Sequence, residues 1–322
     1  MSRDEQRGGN RLRVGLLVIG RKRPGFDVEW GQEIEAAVST AAGEMDIEPF
    51  RPPTRPVDDA TLRRALHEAR HASCDALVVL QPTMGDGRLA SVLAQLWSDP
   101  LVFWATPERQ DSNKVSSCSL VGAHVFATIF RQLGHPFELA YGHPDDSTTR
   151  EQLMTAVRLA AAGAKLARAK VGLVGSHAPG FVNMHVDPAE LSRQLGVALS
   201  QFSLDEFFQL VEGEEAQAVA DDVARVEAMG IPMEEGLGRD DLEPNSRYYL
   251  AMRALLAEEN LDALAVRCWP ELPNRLGAWP YLAMARLAGE GKVVALEGDA
   301  DGAISCLIGR LLDLGVGYLS DW

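Results

Sequence analysis

The chain has 322 residues, 46% of them hydrophobic and 24% charged, which exceeds one compact core and leads us to expect two domains. A formal charge of −15 with no block of Lys or Arg sets nucleic acid aside as a partner, and no run of about 18 apolar residues could cross a membrane. The polar start MSRDEQRGGNRLR lacks the apolar core of a signal peptide, and Cys74, Cys118, Cys268 and Cys306 form no CxxC pair, so a reducing, cytoplasmic setting is expected.

Residues 1–11 read as a disordered lead-in. Short apolar runs follow at 12–19 (LRVGLLVI), 76–80 (ALVVL), 101–105 (LVFWA) and 137–141 (FELAY). Beyond an Ala-rich helix at 151–169 come 170–175 (KVGLVG), 199–204, 263–267 (ALAVR) and 293–297 (VVALE). Unalternated apolar runs suit parallel strands buried on both faces. The segments between them, such as 30–42 and 59–72, space apolar residues three and four apart, as amphipathic helices do. This alternation predicts an α/β protein of two doubly wound parallel sheets, a first domain at 12–167 and a second at 168–322. In such sheets ligands gather beyond the C-terminal ends of the strands.

Two motifs fail on physical grounds. His67-Glu68-Ala69-Arg70-His71 has the HExxH form of a zinc protease, but Leu62, Ala65, Leu66 and Ala69 define the buried face of that helix and leave both histidines on the opposite side. Asp299-Ala300-Asp301-Gly302 lacks the remaining ligands of a calcium loop, so its two carboxylates read as helix caps or as groups that support a neighbouring ligand.

One constellation survives. Glu297 ends the run VVALE, a helix is expected at 303–314, and 315–320 (GVGYLS) reads as a further strand delivering Asp321. A parallel βαβ unit would set the two carboxylates on one rim, where a hard cation such as Mn²⁺ finds oxygen ligands. His177 in the loop SHAPGFVNMH, and Trp269, Glu271 and Trp279 after the run ALAVR, are candidate substrate contacts: a ring nitrogen, a carboxylate for a hydroxyl and aromatic faces for a sugar. Ordinary packing and helix capping are the plainer readings of these four. His185 and Arg267 are weighed with them, the latter as a partner for the acidic rim or for Glu271.

The stretches CWPELP (268–273), WPYLAMARLA (279–288), VALEGDADGAISCLIGRLL (294–312) and GYLSDW (317–322) resemble the L-fucose isomerase and L-arabinose isomerase superfamily. LQPTMGDG (80–87), PLVFWATPE (100–108) and VGLVGSHAPGFVNMHVD (171–187) extend the likeness upstream. The resemblance implies that Glu297 and Asp321 ligate a catalytic Mn²⁺, or another divalent cation, and act as acid and base in an ene-diol aldose–ketose isomerisation. It also implies a monosaccharide substrate, and a homo-oligomer whose neighbouring subunits share active sites, with a flavodoxin-like first domain. Members continue into a mostly β C-terminal domain that supplies a histidine ligand. Because this sequence stops at Trp322, the expectation is an isomerase truncated before that domain, with little or no turnover from the chain alone. The alternative is an inactive sugar-binding protein or partial subunit of the same kind.

Overall fold

The computed structural model describes residues 11–21, 26–111 and 115–320; the lead-in through residue 10 and the expected ligand Asp321 lie outside them. The chain divides into two compact units, one ending at Ala164 and the other beginning at Lys165.

The first unit runs β1 (Leu12–Val18), α1 (Val28–Glu44), β2 (Ile47–Phe50), α2 (Asp59–His71), β3 (Ala76–Leu80), α3 (Arg88–Leu96), β4 (Leu101–Ala105), α4 (Ser119–Gln132), β5 (Phe137–Tyr141) and α5 (Ser147–Leu166). Its five strands are all parallel, in the order β2-β1-β3-β4-β5. Every residue of β3 and β4 is buried, because hydrophobic clusters cover both faces of the sheet. On one face Val14, Val78 and Trp104 pack with Ile34 and Val38 of α1 and Val157 of α5. On the other, Phe103 meets Phe126 and Phe130 of α4 edge-on, at centroid distances of 5.9 and 5.0 Å. Helix α2 buries Leu62, Ala65, Leu66 and Ala69 and leaves His67 and His71 exposed, so the HExxH pattern faces solvent.

The second unit runs β6 (Lys170–Val174), a 3₁₀ turn (Val182–Met184), α6 (Pro188–Leu195), β7 (Ala198–Phe202), α7 (Leu204–Gly213), α8 (Ala216–Ala228), α9 (Arg239–Glu258), β8 (Ala263–Val266), α10 (Glu271–Leu276), α11 (Tyr281–Gly289), β9 (Val294–Ala295) and α12 (Ala300–Leu311). Its sheet is parallel as well, in the order β7-β6-β8-β9. Both sheets are therefore doubly wound, as the alternation of apolar runs predicts. Each reverses its winding once, between β1 and β3 in the first unit and between β6 and β8 in the second. The crevice beyond the strand ends at such a reversal is where these folds hold ligands.

Two elements correct the sequence reading. Strand β9 stops at Ala295, so Glu297 stands in a turn rather than at the end of a strand. Residues 315–320 are not a strand: they have no ladder partner among the described residues, Val316 and Tyr318 are exposed, and Gly315 takes a φ of 98°. Leu319 instead lies partly buried against the cluster that holds Ala303 and Leu307 of α12.

Candidate active site

Three segments meet at the winding reversal of the second sheet. The first follows β6, where Gly175, at a φ of 77°, turns the chain into Ser176, His177 and Ala178. The second follows β8 and carries Arg267, Cys268 and Trp269 into α10. The third is the turn after β9, with Glu297, Gly298 and Asp299. Backbone hydrogen bonds knit them together: Ala178 N donates to the Glu297 carbonyl at 2.7 Å, and Gly298 N to the Val266 carbonyl at 2.9 Å.

Glu297 is half-buried and has a left-handed backbone, with a φ of 62°. For a residue with a side chain this conformation costs about 1–2 kcal/mol. The next residue must be glycine. Gly298 has a φ of 70°, and a Cβ on it would stand 2.1 Å from the Ser176 carbonyl oxygen. Glu297 N donates to the Cys268 Sγ at 3.2 Å, and Cys268 is fully buried. Burial pushes the Cys268 thiol up from its ordinary value and the negative charge of Glu297 adds to the effect, although the hydrogen bonds it receives oppose both. The sulfur therefore stays a protonated acceptor rather than a nucleophile.

Asp299 is spent on structure. It is the N-cap of α12 and accepts from Gly302 N at 2.8 Å, which agrees with reading it as a cap. Arg267 clasps Glu271, with Nε 2.9 Å from one carboxylate oxygen and Nη2 on the other, and its Nη1 donates to the Ser176 hydroxyl at 3.2 Å. This pairing with Glu271 is one of the roles weighed for Arg267. It also means that Glu271 approaches a hydroxyl only as half of an ion pair. The His177 Nδ1 lies 3.0 Å from the Ala178 carbonyl oxygen, so that nitrogen donates and Nε2 is left to accept; His185 stands edge-on to its ring at 6.4 Å. Trp269 and Trp279 are 38% and 46% exposed, and Trp279 stacks on Tyr281 at 5.5 Å. Sequence reasoning missed Cys268, Ser176 and Gly298, since no motif spacing links a thiol to a turn 29 residues away.

Among the described residues no group of three His, Cys, Asp or Glu side chains converges. A carboxylate such as that of Glu297 is the kind of hard oxygen donor that Mn²⁺ or Mg²⁺ takes. The first unit has a crevice of about 710 Å³, lined by residues that include Arg21, Asp58, Gly85, Asp86 and Arg88. Its carboxylates are already engaged: Asp58 caps α2 through Thr61 N, and Asp86 pairs with Arg88. Glu297 is the carboxylate that the turn after β9 carries to the reversal of the second sheet.

No protein-family model matches the chain. The sulfoquinovose isomerase of Alkalicoccus urumqiensis is 30% identical to it over 250 residues, which is 77% of this chain and 56% of that protein. The chain is similar to sulfoquinovose isomerases. The protein of that name from Priestia megaterium is also 30% identical, over 77% of this chain and 55% of its own length. A Clostridium protein of the same name is 26% identical over 74% of this chain and 54% of its own. The chain thus spans about half the length of the curated relatives it matches. The sequence motifs pointed to a sugar isomerase, and these names agree; the sugar they carry is neither fucose nor arabinose. Among solved structures, a transporter solute-binding protein from Actinobacillus succinogenes with bound D-allose covers 97% of this chain and 96% of its own at 12% identity. Its TM-score of 0.25 is too low to carry an argument.

Proposed function

We propose that this chain carries the carboxylate side of the active site of a metal-dependent aldose–ketose isomerase, with sulfoquinovose, a hexose bearing a sulfonate, as the substrate to test first. The observation that supports this reading is Glu297 itself: an acidic residue whose backbone is fixed at the winding reversal, in a chain similar to sulfoquinovose isomerases over three quarters of its length. A divalent cation held there would polarise the neighbouring hydroxyl and carbonyl oxygens of the sugar. Glu297 would take the proton from C2 and return it at C1 while the O2 hydroxyl proton passes to O1, the two transfers an ene-diol route requires. Trp269 and Trp279 offer faces for the apolar side of the ring, and His177 Nε2 an acceptor for a hydroxyl. Asp321 is the proposed second carboxylate, from the sequence resemblance.

The exposed tryptophans equally suit a sugar-binding protein without turnover, and Mn²⁺ titration separates the two readings. Wild-type chain should bind Mn²⁺, and Glu297→Gln should weaken that binding by tenfold or more. Sugar binding with no Mn²⁺ binding would favour the second reading.

A further inference from the structure

Five residues other than glycine have a positive φ among those described, and four have a local explanation. Ser73, Asn260 and Asp313 each stand two residues past the end of a helix, α2, α9 and α12, where a left-handed residue is the ordinary way to stop. Cys118 is the N-cap of α4, held in the turn whose amides bind Glu108. Glu297 follows a two-residue strand and ends no helix. It is also a long side chain at a position glycine would occupy without strain.

The conformation is imposed from outside the turn. The peptide before the Glu297 Cα is held by the Cys268 sulfur, and the one after it by Ala178 N and the Val266 carbonyl. The Ser176 carbonyl fills the space where a side chain on residue 298 would go. Segments from β6 and β8 thus fix both peptides of a residue that the sequence pattern marks for chemistry.

We infer that the Glu297–Gly298 turn is a strained mount that aims the Glu297 carboxylate, and that Cys268 and Gly298 are positioning residues within it. The inference rests on the reading of Glu297 as the working carboxylate, and its test separates the two. The first arm needs no ligand. Thermal unfolding of the full chain is compared for Glu297→Gly and Glu297→Ala. In an unstrained loop alanine is the more stable of that pair, whereas strain at residue 297 reverses the order and puts the glycine variant about 2–4 °C higher. The second arm follows Mn²⁺ binding by the electron paramagnetic resonance signal of the free ion. Cys268→Ala should weaken binding by about tenfold, as loss of a group that orients a ligand does, and Cys268→Ser, which keeps an acceptor, should restore it to within about threefold of wild type. A loss of packing alone would not be rescued by serine. A glycine variant no more stable than the alanine variant overturns the mount, and so does Cys268→Ala binding Mn²⁺ as tightly as wild type. A wild-type chain that binds no Mn²⁺ defeats the functional reading, and the mount is then decided by the unfolding pair alone.

Discussion

The carboxylate of Glu108 takes hydrogen bonds from Ser116 N at 2.6 Å, Ser117 N at 2.8 Å and Cys118 N at 2.7 Å, and from both serine hydroxyls. Burial works against its ionisation, but the bonds from Ser117, Ser116 and Cys118 outweigh it and hold the carboxyl at about 2, below the usual range. The stabilisation from this group is therefore fully present above pH 4.5 and is lost as pH falls towards 2. Glu108→Gln should cost about 2 kcal/mol near neutral pH, read as a shift of the urea midpoint, and the gap to wild type should narrow as pH falls below 4.5 and close only towards 2. At this scale the sequence is only partly legible. It marks Glu297 as a strand-end carboxylate, and the resemblance gives it a role. The left-handed backbone and the thiol beneath it are tertiary facts, set by β6 and β8, and no local pattern announces them. Glu271 is a related case: a candidate from its position that the fold places in the grip of Arg267.

Between elements, helices α8 and α11 are joined by the ion pair of Asp222, which is fully buried, and Arg286, both of whose contacts measure 2.8 Å. The Arg286 guanidinium also lies 3.8 Å from the centre of the Tyr249 ring on α9, so one cation ties three helices. Burial opposes the charge on Asp222, but Arg286 and Ser246 hold its carboxyl below the ordinary range. Asp222→Asn should cost about 3–5 kcal/mol in denaturant unfolding, because it strands a buried guanidinium, and replacing both residues with apolar ones should recover much of the loss. The apolar runs that became β3, β4 and β5 were legible to the residue because they are short, rich in β-formers and enclosed by turn signals. Strand β2 was not, since IEPF carries Glu48 and Pro49. An edge strand tolerates both: Glu48 faces solvent, and Pro49 lacks a donor that an outer edge does not need. Residues 315–320 show the converse. Their composition resembles a strand, yet β9 pairs through only two residues and offers little edge for a fifth to join.

Across the whole molecule, two parallel sheets each reverse their winding once, and such a reversal is where doubly wound folds hold ligands. This much follows from the alternation of apolar runs and amphipathic segments, which is why the fold class was legible. Chemistry was not legible from architecture, since doubly wound sheets serve many functions. The chemistry proposed for it rests on the residues around Glu297 and on the similarity to sulfoquinovose isomerases. On the proposed function, Glu297 brings a divalent cation to C1 and C2 of the sugar. That placement is tested most directly by proton NMR of sulfoquinovose with the chain and trace Mn²⁺, where a bound paramagnetic ion broadens the nearest protons. Strong broadening of H1 and H2, weaker broadening of the protons beside the sulfonate, and loss of both in Glu297→Gln are expected. Broadening strongest next to the sulfonate, or unchanged in the variant, would contradict that placement.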